Sequence, residues 1–254
     1  MSLAFAVRAW SGVGPGLQHS DQWEAWLKTA EFPRGEVVLD MSHIPAMARR
    51  RLGYLAKMAV TVADDVLQHA SHKDLPVVWA SRYGDADKSL ALLQSKVAGG
   101  EVLSPTAFGL SVHNGVGAQH SILRGMTANA VCIASSHCAP EAGIVEAIGL
   151  LHEGAQEVLC VVYDIPLPES YQQFHDEPVA DIAWAALLGL PQPSQAHFEL
   201  LAEQAAAVQD VHREKPAKHL PHMLEVHRFL MDSQMETLSH PHPGGVWMWR
   251  RVHA

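Results

Sequence analysis

The fold is decided by residues 130–164, AVCIASSHCAPEAGIVEAIGLLHEGAQEVLCVVYD. The first five residues, AVCIA, are a short apolar run that predicts a strand. Residues 140–153 carry apolar side chains at three- and four-residue spacing, which predicts a helix that ends at Gly154. Residues 158–163, VLCVVY, are apolar without interruption, as in a strand buried on both faces. Strand, helix and strand at this spacing form a βαβ unit, so we expect an α/β fold with a mostly parallel, mixed sheet and helices packed on it.

Further elements are predicted on both sides of this unit from the same patterns. Strands are predicted at residues 4–10 and 76–81, and residues 181–190 form a further apolar segment. Helices are predicted at residues 21–28, 45–67, 87–96, 196–208 and 221–230. Residues 103–118 are expected to form a loop with a short helix, and residues 244–250 a final edge strand. We divide the chain into one domain, residues 1–190, and a helical extension with a terminal strand, residues 191–254, that packs on the same domain.

Composition excludes several classes of function. The 254 residues have a formal net charge of -9, so nothing favours binding to the phosphates of a nucleic acid. Three cysteines without metal-type spacing indicate reduced thiols in a cytoplasmic protein. No apolar stretch is long enough for a signal peptide or a membrane span. We therefore expect a cytoplasmic protein that does not bind a membrane.

The seventeen histidines invite a metal hypothesis, which their spacing does not support. No HExxH motif is present, no cysteine pair accompanies them and no acidic ligand completes a cluster. We predict no metal and no cofactor, and we expect the histidines of the last part of the chain to be exposed on helices or at an interface. These residues are His219, His222, His227, His240 and His242.

Four segments resemble the N-terminal half of the β-ketoacyl synthase (ketosynthase) family, which has the thiolase fold. Residues 104–125, SPTAFGLSVHNGVGAQHSILRG, resemble the segment that precedes the family's nucleophile strand. Residues 130–154 resemble the nucleophile strand, its turn and the buried helix, and residues 158–164 the next core strand. RRRLG, residues 49–53, resembles the start of an early helix. The resemblance covers about residues 1–190 and implies the N-terminal half only of a thiolase-like fold.

Two departures from the family pattern bear on catalysis. Counting back from Gly154, the position of the family's catalytic cysteine falls on His137, and Cys138 is its neighbour. One residue along a helix turns the side chain by about 100°, so the sulfur of Cys138 is expected to point elsewhere. The family's two catalytic histidines belong to a C-terminal repeat, and we expect this chain to end before such a repeat. The resemblance therefore implies a subunit with no catalytic residue.

A ketosynthase relative of this kind resembles the short chain-length factors of aryl-polyene-type synthases. That resemblance implies a heterodimer with a full-length ketosynthase, acyl carrier protein as a partner of the complex, and a role in shaping the acyl tunnel during polyketide-like or fatty-acid-like elongation. We expect the interface to include residues 104–120 and 130–134. The tunnel and interface candidates are Phe108, His113, Asn114, Ser136, His137, Ala142 and Gly143.

Two other functions stay open at this point. Cys138 lies near a helix N-terminus, which would lower the pKa of its thiol, so a truncated thiol acyltransferase or condensing enzyme is one alternative. The other is an interaction module without an acyl tunnel. Cys132 and Cys160 lie in apolar strands and are expected to be inert core residues.

Overall fold

Eight strands in the described part of the chain form one mixed sheet, with the order β3-β2-β4-β5-β1-β6-β8-β7. The computed structural model describes residues 2–98, 104–204 and 220–254. The strands are β1 (Ser2–Val13), β2 (Val77–Ser81), β3 (Ala130–Ala134), β4 (Val158–Asp164), β5 (Ile182–Gly189), β6 (His197–Gln204), β7 (Thr237–His242) and β8 (Gly245–Val252).

The helices are α1 (Ser20–Leu27), α2 (Ala46–Arg51), α3 (Tyr54–Leu67), α4 (Ala86–Val97), α5 (Pro105–Ser111), α6 (Gly115–Arg124), α7 (Ala139–His152) and α8 (His222–Met231), with a 3₁₀ helix at Glu169–Phe174. The single helix predicted for residues 45–67 is two helices, because the chain is extended at Leu52 and Gly53. A Cβ atom at Gly53 would lie 2.7 Å from the Lys88 Nζ atom, so α4 approaches the chain closely between the two helices.

The predicted βαβ unit, β3-α7-β4, is confirmed, and a third strand, β2, lies between its two strands in the sheet. Strands β3 and β4 both pair in parallel with β2, which lies between them. The expectation that the sheet is mostly parallel is wrong, because five of the seven pairings in the described residues are antiparallel. Strands β7 and β8 are joined by two residues, a connection that only an antiparallel pair allows.

The segment after residue 190 differs most from the prediction. Residues 197–204 form β6, which pairs with β1 and β8, whereas a helix was predicted; residues 205–208 lie outside the described residues. Phe198 and Leu200 are buried and alternate with half-buried neighbours, so pairing and burial override the helix propensity of Ala, Leu and Glu here. Strand β8 is not the edge strand, since β7 pairs with its outer side. The helix predicted at residues 221–230 is confirmed as α8.

Helices cover both faces of the sheet and make two apolar layers. On one face α7 and α8 pack with α1, and the layer contains Trp23, Ile144 and Trp249. On the other face α3 packs on β4 and β5. Strand β4 is buried on both faces, as its uninterrupted apolar sequence predicts. Helix α7 packs mainly on β2 and β4, helix α8 packs on β5 and β7, and the two helices contact each other.

Candidate functional site

Polar groups gather where the carboxyl ends of β2, β3 and β4 meet. These strands are parallel and Ser81 pairs with Ala134, so the loops that follow them emerge at one edge, where ligands bind in open α/β sheets. The Asp164 carboxylate accepts hydrogen bonds from the Ser81 hydroxyl at 2.8 Å and from the backbone N–H groups of Arg82 and Tyr83. Burial raises the pKa of Asp164 to about 6, although these hydrogen bonds act to lower it.

A cleft opens at this edge in front of the N-terminus of α7. Its lining includes Arg82, Tyr83, His137, Glu177 and His222. The enclosed volume is about 30 Å³, which is room for one or two water molecules. The Arg82 guanidinium pairs with Asp176 at 2.7 Å and with Glu177 at 3.2 Å, and these ion pairs hold the segment after β4 against the cleft.

His137 and Cys138 face different surroundings. The side chain of His137 is 40% exposed at the cleft, and its Nδ1 atom lies 3.2 Å from Asp176 Oδ2. Cys138 is the N-cap of α7 and is only 8% exposed. Burial first, and then the charge of Glu141, raises the pKa of the Cys138 thiol to about 12. The expected lowering by the helix N-terminus is therefore wrong in direction, because burial outweighs it.

A buried charged pair beside this cleft was not predicted. Glu141, in the first turn of α7, is 0% exposed, and its Oε1 atom accepts hydrogen bonds from His222 Nε2 at 2.7 Å and from the Trp249 indole N–H at 2.9 Å. Burial would lower the pKa of His222, but the charge and hydrogen bond of Glu141 raise it to about 9. His222 lies 81 residues from Glu141, and no local sequence pattern indicates contacts at such a separation.

The tail histidines are thus less exposed than expected. His222 and His227 are buried, His240 and His242 are half-buried, and His219 lies outside the described residues. The His227 ring stacks on Trp184 with centroids 5.5 Å apart and makes T-shaped contacts with Trp10 and Trp23. Burial lowers the pKa of His227 to about 3. The expectation that the helix histidines are exposed is wrong for His222 and His227, because α8 packs on β5, β7 and α7 and buries both side chains.

The predicted tunnel and interface residues fall into two groups. The His113 Nε2–H donates to the Ser81 carbonyl at 3.2 Å, and Ser136 and His137 follow β3, so all three lie at the carboxyl edge. Phe108 on α5 and Asn114 at the N-cap of α6 are exposed, and both lie close to His113 in the sequence. These five residues can meet a partner at the surface.

The two α7 candidates differ from each other. Ala142 is half-buried on the outer side of α7. A Cβ atom at Gly143 would lie 3.0 Å from Ala80 Cβ and 3.1 Å from Cys160 Sγ, so Gly143 packs on β2 and β4. Gly143 is thus a close-packing residue of the helix–sheet contact, which corrects the expectation that it faces a tunnel.

Exposed apolar side chains lie on or next to the two helices that precede β3, the outer strand at one end of the sheet. Phe108 is 58% exposed and Ile122 on α6 is 84% exposed, and α6 packs beside β3. Helix α6 is anchored to α3, because Asp64 accepts hydrogen bonds from His120 and from Arg124. We call this surface, formed by β3, Phe108, Val112 and Ile122, the β3 face.

Among the described residues, no three His, Cys, Asp or Glu side chains come close enough together to hold a metal ion. None of the helices at residues 2–98, 104–204 and 220–254 is both long and apolar enough to cross a membrane.

Comparisons with known proteins place these observations in a family. The sequence matches the family model described as "Beta-ketoacyl synthase, N-terminal domain" over residues 23–250. A comparison with curated proteins finds no match. Among solved structures, "Ketosynthase (ApeO) in Complex with its Chain Length Factor (ApeC) from Xenorhabdus doucetiae" is similar with a TM-score of 0.81 and 23% identity, over 98% of this chain and 100% of that chain.

Two further structures are similar at lower scores. "The ishigamide ketosynthase/chain length factor" has a TM-score of 0.63 and 13% identity, over 78% of this chain and 67% of that chain. A β-ketoacyl synthase from Burkholderia phymatum STM815 has a TM-score of 0.61 and 12% identity, over 80% of this chain and 65% of that chain. The thiolase-like fold that the sequence resemblance implies is confirmed.

Proposed function

Because the chain belongs to the β-ketoacyl synthase family through the family's N-terminal domain, we propose that it is a non-catalytic chain-length factor. In this proposal it forms a heterodimer with a full-length ketosynthase and contributes part of the wall of the acyl tunnel. The ketosynthase carries out the condensations on chains that acyl carrier protein delivers to the complex. The observation that carries the proposal is the β3 face, an open apolar sheet edge beside exposed aromatic and aliphatic side chains.

The β3 face has the properties of a protein interface. Strand β3 has the sequence AVCIA, without proline or charge, and an outer strand of this kind leaves backbone N–H and C=O groups free to pair with another chain. Large exposed apolar side chains such as Phe108 and Ile122 are the residues that become anchors in an interface. A stable heterodimer of this type would bury on the order of 2,000 Å² in total.

The state of Cys138 supports a non-catalytic subunit. A thiol acts as a nucleophile only as thiolate, and with a pKa of about 12 almost all of Cys138 is protonated at neutral pH. The residue at the family's nucleophile position, His137, cannot form the thioester that such a cysteine forms. The alternative of a thiol acyltransferase that uses Cys138 lacks the activated nucleophile that the reaction needs.

The size of the cleft supports a tunnel shared with the partner. An enclosed volume of about 30 Å³ is far too small for an acyl chain, because a ligand pocket for a drug-sized molecule holds roughly 300 Å³ or more. We therefore infer that an acyl tunnel that uses this cleft runs along the surface of the chain and is closed by the other subunit. The candidates for its wall are then Phe108 on α5 and the two residues His113 and Asn114 between α5 and α6.

Reconstitution with a full-length ketosynthase of the same host tests the proposal. We expect a one-to-one complex, and we expect the acyl chains on the carrier protein to differ in length from those made by the ketosynthase alone, as measured by mass spectrometry. The isolated chain should self-associate through the β3 face. A stable monomer at micromolar concentration that does not bind the ketosynthase would overturn the proposal.

A further inference from the structure

The C-terminal strands reach back to the residue at the family's nucleophile position. His240 on β7 donates its Nε2–H to the backbone carbonyl of His137 at 3.0 Å, across 103 residues of sequence. His137 lies in the loop of residues 135–138 that joins β3 to α7. The backbone at this position, just after β3, is therefore held by a side chain of β7, the strand at the other end of the strand order.

His240 is itself held in place by the buried pair. Its ring stacks on the His222 ring with centroids 3.3 Å apart and an angle of 13° between the planes. The His222 ring is fixed in turn by Glu141, and the His222 backbone N–H donates to Glu177 Oε2 at 2.9 Å. Burial and the neighbouring His222 charge lower the pKa of His240 to about 4. Since Nε2 donates to a carbonyl, the neutral ring carries its proton on Nε2.

The geometry points to Glu141, His222 and His240 as positioning residues that set the conformation of the loop at residues 135–138. Replacement of a whole buried ion pair by well-packed apolar side chains is often neutral or stabilising, so an apolar contact would serve as well if packing alone were needed. The pair instead orients the His240 ring, which stacks on His222, so that its N–H points at the carbonyl of His137. The loop carries His137 at the cleft, and its conformation shapes the surface next to the β3 face.

Two substitutions at one position separate positioning from packing. His240→Leu removes the donor and keeps a similar volume, whereas His240→Gln keeps an N–H group near the original Nε2 position. His242→Leu, on the same strand, is the matched control, because the His242 side chain contacts the Gly244 backbone and Trp247 rather than the loop. All three are made in the full chain and studied both alone and with the ketosynthase.

Hydrogen–deuterium exchange of the peptide over residues 134–142 is the first readout. We expect His240→Leu to speed its exchange roughly fivefold, as the loss of one net hydrogen bond predicts, and His240→Gln to restore it. His242→Leu should leave it unchanged. Equal exchange in the Leu and Gln variants, or faster exchange spread over β7 and β8 in all three, would show a packing role and overturn the inference.

Product length is the second readout, and it rests on the proposed function. In the complex, His240→Leu should shift the distribution of acyl chain lengths, and His240→Gln should return it to that of the wild type. If the wild-type subunit does not alter product length at all, the proposed function fails while the exchange result still decides the positioning role. If the wild type alters it and His240→Leu does not, the loop is held but does not shape the tunnel.

Discussion

The two outer strands of the described sheet differ in how well their outer edges are protected from pairing with another strand. Strand β3 is AVCIA, apolar throughout, and large exposed side chains lie beside it. Strand β7 is TLSHPH, which alternates exposed and half-buried residues and contains Pro241, a residue without a backbone N–H. Prolines and polar side chains are the devices by which proteins protect an edge from pairing. One end of the sheet is protected and the other is left open, so the open end is where a partner is expected.

The two ends also differ in what holds them. Around β3 the exposed side chains are apolar and are stabilised only when a partner covers them, although Asp64 with His120 and Arg124 anchors α6 there. Next to β7 the chain has its own buried ion pair, Glu141 with His222, and a stacked neutral ring, His240. Damage at the β7 end should therefore unfold the subunit, while damage at the β3 end should leave it folded and separate it from its partner.

The largest effect is expected from Glu141→Leu, at the protected end. This change leaves the His222 ring and the Trp249 indole N–H buried without an acceptor, and removal of one member of a buried pair costs about 3–5 kcal/mol. Urea unfolding followed by tryptophan fluorescence measures the loss. Glu146→Leu, a half-buried position on the same helix, is the control and should change stability little. A loss below about 1 kcal/mol in Glu141→Leu would contradict the pairing.

The same pair predicts a dependence of stability on alkaline pH. The folded pKa of His222, about 9, lies above the value of 6.5 that it has when unfolded. The stability contributed by the proton is therefore complete below pH 6.5, falls between pH 6.5 and 9, and is lost as the pH rises through 9. Urea midpoints measured from pH 6.5 to 10 should fall more steeply in the wild type than in Glu141→Gln. Parallel curves would contradict the assignment.

At the open end, Phe108→Asp should break the complex and spare the fold. A charge at a buried anchor of an interface costs about 2–4 kcal/mol, a loss of affinity of roughly thirtyfold to a thousandfold. Val38→Asp is the control, because Val38 is 62% exposed but lies outside the β3 face. Binding to the ketosynthase is measured by calorimetry, and folding by thermal unfolding of each variant. An unchanged affinity for Phe108→Asp would remove Phe108 from the interface.

A smaller effect is expected from one lysine placed on each edge. Ala134 on β3 and Ser239 on β7 are both exposed, so neither substitution should disturb the core. Ala134→Lys should weaken the heterodimer about tenfold, since lysine at an edge opposes strand pairing, and Ser239→Lys should leave it unchanged. Equal effects of the two substitutions would show that the edges do not differ in the way proposed here.

Much of the fold could be predicted because the signals are local. The run VLCVVY predicts a doubly buried strand, and the apolar stripe of residues 140–153 predicts α7, since both follow from periodicity. Strand direction and partners are not local properties, which is why the proportion of parallel pairs was wrong. Residues 197–204 contain helix-favouring residues, yet pairing with β1 and β8 makes them a strand.

The candidate site was predicted less completely for the same reason. His137 and Cys138 could be found because they lie in a segment that resembles the nucleophile turn of the family. Glu141 looked like one acidic residue in the first turn of a helix, and only the folded chain shows that His222 meets it from 81 residues away. Gly143 was chosen for its small size, and the structure shows that the size serves the contact with β2 and β4.

The substitution with the smallest expected effect on condensation is Cys138→Ala, at the point where the two ends of the sheet come together. The Cys138 backbone N–H donates to Ser135 Oγ in the loop after β3, and Trp247 of β8 contacts its thiol. With a pKa of about 12, roughly one thiol in ten thousand is ionised at pH 8, so alkylation by iodoacetamide should be about a thousandfold slower than for a free cysteine. Cys138→Ala should also leave condensation by the assembled complex within about twofold of the wild type, because the subunit supplies no nucleophile. Loss of a true nucleophile would instead lower single-turnover condensation more than a hundredfold. Such a loss in an intact complex, together with rapid alkylation, would show that this chain is a thiol enzyme. The β3 face would then support an active site in this chain rather than one in the partner.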